Sequence, residues 1–196
     1  TIIMNTNDKN YWNDFYNTEK SHTVCCSNFC DFIIDFFKND TNILNIIDCG
    51  CGNGRDSYKL SEKYTVDAVD NCGFIPHSEK NINFYCDDFI SIDKQKYQLV
   101  YSRFTFHSIT NEQQINFLKS IHTHTYLSIE TRSDKGEKDE VFHGKTHFRN
   151  YSNLDYLKKI VHENGFEIIY LKEGNEMAKY KNENPICIRI ICKKIV

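Results

Sequence analysis

The segment Asp48–Gly54, called the glycine loop below, constrains the fold more than any other part of this sequence. Its three glycines, at positions 50, 52 and 54, come directly after the apolar run ILNIIDC and directly before a predicted helix. Glycine lets the backbone turn tightly and approach a ligand closely, and the start of the helix offers unpaired N–H groups. The spacing G-x-G-x-G differs from the G-x-G-x-x-G of a dinucleotide-binding loop, and no G-K-[ST] follows as in a P-loop. The sequence therefore predicts a strand, a ligand-binding turn and a helix in succession.

Short apolar runs alternate with helical stretches along the chain, which is typical of a parallel sheet covered by helices on both faces. Seven strands are predicted, at Ile43–Cys49, Tyr64–Asp70, Ile82–Cys86, Tyr97–Ser102, Tyr126–Glu130, Glu167–Leu171 and Ile186–Cys192. Helices are predicted at Asn28–Lys38, Arg55–Lys63, Asn111–Ser120 and Asn153–Asn164. No helix fits between the last two strands, so they are predicted to form an antiparallel hairpin. The predicted fold class is therefore α/β.

Length and charge fit one soluble domain that spans residues 1–196. Residues 1–40 are predicted to form a helical cap, and residues 133–151 a polar insertion near the binding site. The net charge of -3 argues against a protein that binds nucleic acid through bulk charge. No apolar run approaches the roughly 18 residues of a membrane span, and the polar N-terminus lacks a signal-peptide core. The nine cysteines include no C-x-x-C pair, so they predict reduced thiols in a cytoplasmic protein.

Acidic residues end the second and third predicted strands. Asp70 closes the run VDAVD, and Asp87 and Asp88 follow the run INFYC. Ligands of an open α/β sheet bind beyond the carboxyl ends of its strands, where Asp70 could accept from both hydroxyls of a ribose. An acid after the third strand could accept from an adenine amino group, with the ring of Phe89 covering one face. Each acid alone could equally cap a helix or lie in a solvated turn, but their joint placement favours a nucleoside site.

Four segments of the chain resemble the motifs of the class I S-adenosylmethionine-dependent methyltransferases: IIDCGCGNGRDS, VDAVD, FYCDDF and YQLVYSRF. The resemblance implies a Rossmann-like, doubly wound sheet of strand order 3-2-1-4-5-7-6, with S-adenosylmethionine as the cofactor and S-adenosylhomocysteine as its product. The implied cofactor contacts are Asp48, Gly50, Gly52 and Gly54 at the methionine part, Asp70 at the ribose, Asp87, Asp88 and Phe89 at the adenine, and Ser102 in the fourth motif. One departure is the segment 71–76, where Gly73 and Pro76 predict a loop in place of the family's helix.

Three of the five arginines fall where the methyl acceptor of such a fold binds. Arg103 ends the fourth strand, Arg132 follows the fifth, and Arg149 lies in the polar insertion. Arginine binds carboxylate or phosphate through a rigid fork of donors, so this placement predicts a small anionic acceptor. Further acceptor contacts are predicted at His143, Tyr151 and Lys179. The alternative is that these arginines form surface ion pairs with Glu130, Asp134 or Glu137.

Two histidines are candidates for a catalytic base. His107 lies four residues after Arg103, so a helix would place both side chains on one face. His147 lies in the polar insertion, close to Arg149. A hydroxyl acceptor must lose a proton, and histidine suits this role near neutral pH, whereas a neutral amine needs less help. The histidines form no ligand pattern with acidic residues, so no metal ion is expected.

The segments HGKTHFRNYSNLDYL and AKYKNENP also resemble small methyltransferases of polysaccharide and surface-glycan pathways. The leading hypothesis is therefore O- or N-methylation of a nucleotide-linked or phosphorylated sugar in glycan biosynthesis. Nucleic-acid amine methyltransferases carry an N/D-P-P-Y/F loop after the fourth strand. Residues 102–105 read SRFT at that position, which argues against this class of enzyme. Two alternatives stay open: a detoxifying methyltransferase of the tellurite or thiopurine type, and a non-catalytic regulatory protein that binds S-adenosylmethionine. Either the cofactor or the core is expected to contact the aromatic rings of Trp12, Phe15 and Tyr16.

Overall fold

The structure of the chain is a computed structural model that describes residues 10–14, 25–73, 76–136, 148–180 and 182–196. Its strands are β1 (Asn45–Cys49), β2 (Thr65–Asp70), β3 (Ile82–Cys86), β4 (Leu99–Arg103), β5 (Tyr126–Arg132), β6 (Phe166–Gly174) and β7 (Cys187–Lys194). Its longer helices are α1 (Asn28–Phe36), α2 (Arg55–Ser61), α3 (Asn111–Lys119) and α4 (Leu154–Glu163). A 3-10 turn covers Phe106–Ser108, and residues 10–14 are helical.

The seven strands form one sheet in the order β3-β2-β1-β4-β5-β7-β6. Strands β1 to β5 pair in parallel, and β7 runs antiparallel between β5 and β6. The chain reverses its direction across the sheet between β1 and β4, so the carboxyl ends of these two strands border the crevice where such sheets bind ligands. The predicted fold class, strand order and C-terminal hairpin are confirmed. Strand β6 continues beyond the predicted Leu171 to Gly174, because it pairs with β7 along that length.

Helices cover both faces of the sheet, as the spacing of apolar residues predicts. Helices α1 and α2 contribute Phe29, Ile33 and Leu60 to the core on one side. Helices α3 and α4 contribute Phe117 and Ile160 to the core on the other side. Burying one side chain of this size stabilises a fold by roughly 1.5–3 kcal/mol. The two cores together hold the strand ends in fixed positions.

All nine cysteines are free thiols, and five of them are buried, as expected for side chains used as small apolar groups. Burial raises the pKa of Cys49 to about 12, with the nearby Lys94 opposing the shift. This thiol is therefore protonated at neutral pH and serves packing. Within the ranges of the chain that the structure describes, no helix has the length and apolar character needed to cross a membrane.

The segment after β4 corrects one expectation from the sequence. Arg103 is the last residue of β4, and Phe104 follows it with a φ of 58°, in the left-handed region. His107 then lies in the 3-10 turn. Arg103 and His107 do not share a helical face, and that prediction is wrong because the chain leaves the strand through a left-handed residue rather than entering a helix.

The segments on either side of the expected cofactor site contact each other. Residues 71–73 form a bend after β2, in agreement with the predicted loop. The side-chain oxygen of Asn13 accepts a hydrogen bond from the backbone N of Gly73. This contact brings the N-terminal segment to the loop after β2, and Trp12 is half-buried there. Phe15 and Tyr16 lie outside the described residues, so their expected contacts stay predictions.

A buried carboxylate joins α1, α2 and β4. Asp56 accepts hydrogen bonds from the backbone N and the Oγ of Ser27, both at 2.6 Å, and from the hydroxyl of Tyr101 at 2.7 Å. The Oγ of Ser27 also accepts from Cys30 N and thereby caps α1. One serine therefore both starts α1 and attaches it to α2, the helix that follows the glycine loop.

We expect Ser27→Ala to cost more stability than the loss of an ordinary helix cap. The change removes the cap and one donor to a buried carboxylate, so the free energy of unfolding should fall by about 2–3 kcal/mol. Thr110→Ala is the matched control, because Thr110 caps the exposed start of α3 without a buried partner and should cost about 1 kcal/mol. Urea denaturation measures both losses, and equal losses would contradict the role given to Asp56.

Candidate functional site

The glycine loop turns sharply between β1 and α2. Gly50, Gly52 and Gly54 have φ angles of 79°, 54° and 77°, in the left-handed region that glycine adopts without strain. The backbone N of Gly50 donates to Val69 O at 2.8 Å, which attaches the loop to β2. A Cβ on Gly50 would lie 2.5 Å from Thr105 Oγ1. The loop therefore needs glycine both for its backbone angles and for its packing.

Asp48 lies near the end of β1 and is 2% exposed. Its carboxylate accepts a hydrogen bond from Ser57 Oγ at 2.5 Å. Burial raises the pKa of Asp48 to about 8; the hydrogen bond from Ser57 opposes this shift, while the nearby carboxylates of Asp56 and Asp70 reinforce it. The protonated form of Asp48 therefore predominates at neutral pH, and a cationic group beside it would favour the ionised form.

Asp70 ends β2, and its carboxylate contacts the glycine loop. Gly52 N donates to Oδ2 at 2.9 Å, and Cys72 N donates to Oδ1 at 3.0 Å. Each carboxylate oxygen can accept more than one hydrogen bond, so both oxygens keep acceptor capacity. The side chain can therefore accept from the two hydroxyls of a ribose while it holds the loop in place.

The turn after β3 presents an exposed acid next to Asp70. Asp87 N donates to Asp70 O at 3.0 Å, and the Asp87 side chain is exposed. The carboxylate of Asp88 accepts from Ile90 N at 3.0 Å and from Ser91 Oγ at 2.8 Å, so it stabilises the turn itself. Of the two acids, Asp87 has the freer side chain for the adenine contact that the sequence predicts.

The structure places Phe89 in the core, which corrects the expectation that its ring covers an adenine. Phe89 is 3% exposed, and its ring centroid lies 6.5 Å from that of Phe117. Lys94 supports the same turn from within the protein, because its Nζ donates to the carbonyls of Ile90 and Ile92 at 3.2 and 3.0 Å. Burial lowers the pKa of Lys94. The apolar ring and the buried lysine thus fix the turn, while its backbone and Asp87 remain accessible.

Ser102 lies in β4 with its side chain fully buried. Its Oγ has no hydrogen-bond partner among the described residues. A buried hydroxyl without a partner is costly, and the role of Ser102 at the cofactor stays a prediction because its side chain is 0% exposed. The donors and acceptors around the crevice fit S-adenosylmethionine: loop backbone for the methionine part, Asp70 for the ribose and Asp87 for the adenine.

Two arginine side chains flank the ring of Phe104 at the carboxyl ends of β4 and β5. The guanidinium carbons of Arg103 and Arg132 lie 4.1 and 5.1 Å from the ring centroid. Arg103 Nε donates to Glu130 at 2.9 Å, and Arg132 Nη2 donates to Glu183 at 3.1 Å. An ion pair with Glu130 on the protein surface is the alternative role that the sequence leaves open for these arginines. Arg103 does pair with Glu130, but the pair is largely buried, with the two side chains 16% and 0% exposed.

His107 lies beside this arginine cluster and is 2% exposed. Its Nδ1 lies 3.3 Å from Thr131 Oγ1 and accepts from Arg132 N at 3.4 Å. An Nδ1 that accepts a hydrogen bond leaves the ring proton on Nε2. The ring of Tyr151 stacks on His107 with an interplanar angle of 10°. The structure thus brings these two predicted residues together, and the role of His107 as a base stays a prediction.

The two ends of the polar insertion meet beside β5. Ser133 and Ser152 form a parallel bridge, and the Oγ of Ser152 lies 2.9 Å from that of Thr131. Asn150 N donates to His107 O at 2.7 Å. The chain therefore leaves the sheet and returns to it at the predicted acceptor side.

The remaining acceptor candidates are less constrained by the structure. Arg149 is half-buried, and Lys179 is exposed with its Nζ 3.8 Å from Glu176. His143 and His147 lie outside the described residues. Within the described ranges, no group of three or more histidine, cysteine or acidic side chains could hold a metal ion.

Most of the chain, including the crevice, matches one known protein family. A family described as "Methyltransferase domain" matches residues 21–171. The chain belongs to this methyltransferase family. The match includes the glycine loop, Asp70, Asp87 and β4, and it confirms the predictions of an enzyme and of S-adenosylmethionine as its cofactor.

This methyltransferase is similar to individual known proteins at low sequence identity. Malonyl-[acyl-carrier protein] O-methyltransferase 2 of Ilyobacter polytropus is 25% identical over 184 residues, which cover 82% of this chain and 67% of the relative. A solved methyltransferase from Anabaena variabilis is 14% identical with a TM-score of 0.68 and covers 97% of this chain and 96% of its own. The 1,6-didemethyltoxoflavin-N1-methyltransferase of Burkholderia thailandensis, solved with S-adenosylhomocysteine, has a TM-score of 0.66 at 12% identity, covering 93% and 82%.

Sequence reasoning missed one charged residue of the methyltransferase site. Arg189 lies in β7, inside the apolar run CIRIIC, and was not among the arginines assigned to the acceptor. The structure shows that its Nε donates to Glu130 at 2.6 Å. A single charge within an otherwise buried strand is the signal that could have identified it, because such charges are rarely buried unless they are paired.

We expect Gly50→Ala to weaken cofactor binding and to destabilise the methyltransferase. An alanine at a φ of 79° carries left-handed strain of about 1–2 kcal/mol, and its Cβ would clash with Thr105. Binding of S-adenosylhomocysteine, measured by calorimetry, should weaken roughly tenfold or more. Gly174→Ala is the matched control, because a Cβ there meets no atom within 4 Å. Equal affinities for the two variants would contradict the account of the loop.

The raised pKa of Asp48 predicts a stability that falls as pH rises. The folded state holds a proton on Asp48 up to pH about 8, whereas the unfolded state releases it near 3.8, so stability should decline between these values. Asp48→Asn mimics the protonated form and lacks this loss. The free energy of unfolding of the variant, relative to the original protein and without ligand, should therefore increase with pH. Parallel curves for the two proteins would show that Asp48 is already ionised.

Proposed function

We propose that this methyltransferase transfers the methyl group of S-adenosylmethionine to a small acceptor that carries a carboxylate or a phosphate. The observation that carries the proposal is the environment of Arg103. Its Nε donates to Glu130, while its two terminal nitrogens donate to none of the described residues. The side chain is 16% exposed at the carboxyl end of β4, where an open α/β sheet binds its ligands.

The chemistry of arginine supports an anionic partner at this position. Two neighbouring terminal N–H groups form a planar fork that matches the oxygens of a carboxylate or a phosphate. The ring of Phe104, 4.1 Å from the Arg103 guanidinium, limits how this fork can move. An acceptor held by such a fork would have a defined orientation relative to the crevice between β1 and β4.

Orientation is the main contribution that this site would make to the reaction. When bound, S-adenosylmethionine supplies an electrophilic methyl group on a sulfonium centre. The glycine loop and Asp70 would hold the donor, and Arg103 would hold the acceptor, so that the reacting atoms face each other. An oxygen that is already ionised needs no base, which agrees with a His107 whose Nδ1 accepts from a backbone N–H.

The named substrate of one relative belongs to the same chemical class. The Ilyobacter polytropus relative is named for O-methylation of a malonyl group on acyl-carrier protein. A malonyl thioester has one free carboxylate, and such a group would fit beside Arg103. A carboxylate oxygen as the methyl acceptor is therefore the first candidate.

A nucleotide-linked or phosphorylated sugar is the second candidate, as the sequence predicts. In that case Arg103 would bind the phosphate, and a hydroxyl or amine would accept the methyl group. The contact of Asn150 N with His107 O favours this candidate, because it brings the end of the polar insertion, which carries further basic and histidine residues, to the acceptor side. A hydroxyl acceptor would require a base such as His107 or His147.

We expect methyl transfer from labelled S-adenosylmethionine to be confined to anionic acceptors. The panel pairs a malonyl thioester with its neutral methyl ester, and sugar phosphates and nucleotide sugars with neutral free sugars. Arg103→Gln should raise the acceptor KM by roughly 10- to 150-fold, since a charge-assisted hydrogen bond is worth about 1.5–3 kcal/mol. Lys158→Gln, which removes the same charge from an exposed ion pair on α4, should leave the KM unchanged.

The same assay separates the candidates from each other and from the detoxification alternative. A carboxylate acceptor predicts a kcat/KM that changes little with pH around neutrality, whereas a hydroxyl acceptor predicts a fall below the pKa of its base. Equal turnover of neutral and anionic members, or preference for a tellurite or thiopurine acceptor, would overturn the proposal of an acceptor that carries a carboxylate or a phosphate.

A further inference from the structure

Three charged side chains stand in one row across the sheet, next to the crevice. Arg103 of β4 is the direct register partner of Glu130 in β5, and Glu130 is the direct partner of Arg189 in β7. Side chains of directly paired residues point to the same face of a sheet. The row Arg103–Glu130–Arg189, called the charge row below, is therefore built by strand register alone.

The two arginines share one carboxylate in this row. Arg103 Nε donates to Glu130 Oε1 at 2.9 Å, and Arg189 Nε donates to Glu130 Oε2 at 2.6 Å. Glu130 is 0% exposed, and the Arg189 side chain is 8% exposed. Each oxygen of Glu130 is thus engaged by a different guanidinium, in surroundings that exclude most water.

The charge row carries one positive charge in excess, since two guanidinium groups face one carboxylate. The next acid, Asp56, also attracts Arg103 electrostatically, but it accepts from Tyr101 and Ser27, and its Oδ1 lies 3.8 Å from Arg55 Nε, whose positive charge offsets its own. An excess of positive charge in a largely buried cluster is costly, and this cost is offset when an anion binds next to it.

Arg189 itself is held by several contacts besides Glu130. Its Nη2 donates to Met177 O at 2.7 Å. Its guanidinium carbon lies 5.4 Å from the ring centroid of Phe29 and 5.2 Å from that of Phe32, both on α1. Because its Nε donates to Glu130, Arg189 can act on the acceptor through the carboxylate that it shares with Arg103.

We propose that Arg189 is a positioning residue for the anionic acceptor: by sharing Glu130 with Arg103, it leaves the exposed end of Arg103 with positive charge that Glu130 alone does not neutralise. Without Arg189, the carboxylate of Glu130 would balance Arg103 completely, and the attraction for an anion would weaken. This inference rests on the proposed function, because it concerns the same anion at Arg103. It assigns the charge preference of the site to a residue that does not touch the acceptor.

Malonate binding to the protein loaded with S-adenosylhomocysteine, measured by calorimetry, tests this inference without turnover. Arg189→Gln should weaken malonate binding by about tenfold or more, with S-adenosylhomocysteine affinity unchanged. Arg189→Lys keeps the charge and should stay within about threefold of the original affinity. Lysine and glutamine at position 189 both lose the planar contacts with Met177 and the α1 rings, but only lysine keeps the positive charge. Malonate binding that is retained with lysine and lost with glutamine would therefore show that the charge is responsible.

Two further variants distinguish the failure of this inference from the failure of the proposed function. Arg103→Gln should weaken malonate binding, and the double variant Arg103→Gln with Arg189→Gln should lose little more, since both act on one site. Normal malonate binding in Arg189→Gln, with weakened binding in Arg103→Gln, would overturn the inference and leave the proposed function standing. Absence of malonate binding, or no effect of Arg103→Gln, would overturn both. Lys158→Gln again serves as the control for a lost surface charge.

Discussion

The packing of Thr105 against Gly50 joins the two halves of the methyltransferase site. The side chain of Thr105 fills the space that a Cβ on Gly50 would need, and its hydroxyl donates to Cys49 O at 3.1 Å. Because Thr105 follows Arg103 and Phe104 directly, the contact that shapes the glycine loop also fixes the start of the acceptor side. Phe104 lies between Arg103 and Thr105 with a left-handed φ of 58°, a conformation that is strained for a residue other than glycine. The contact of Thr105 with Gly50 thus sets the spacing between the glycine loop and the proposed acceptor side.

Buried carboxylates around the crevice differ in how completely the protein satisfies them. Asp56 accepts three hydrogen bonds from neutral donors, and Glu130 is held by two arginines. Asp48 receives only the Ser57 hydroxyl among the hydrogen bonds of the described residues, and burial raises its pKa. A buried acid with few donors favours its neutral form. Asp48 is therefore the acid whose charge a cationic ligand can change. Asp56 and Glu130 instead connect the strands and helices around the crevice.

The strand, the glycine turn and the acid at the end of β2 were largely predictable from the sequence, because they depend on local signals. The glycine spacing and an acid at the end of β2 each follow directly after a strand, and the strand order agrees with the resemblance. Phe89 was misplaced because an apolar ring after a strand can face either a ligand or the core, and here α3 offers Phe117. The expected helical face of Arg103 and His107 failed because nothing in the sequence marks Phe104 as left-handed. Arg189 was missed because its meeting with Glu130 depends on the register of β5 and β7, which are far apart in sequence.

In the proposed site the backbone binds most of the cofactor, and side chains select the acceptor. This difference agrees with a fold that is shared at low sequence identity. The Anabaena variabilis methyltransferase matches 97% of this chain at 14% identity, so most side chains can change while the sheet persists. The proposed cofactor contacts are backbone N–H groups, glycine angles and one acid, and these tolerate that change. The proposed selection of the acceptor by the charge row does not, because one substitution in β4, β5 or β7 would alter the charge that the acceptor meets. For this reason we expect differences in acceptor charge among related chains to follow positions 103, 130 and 189.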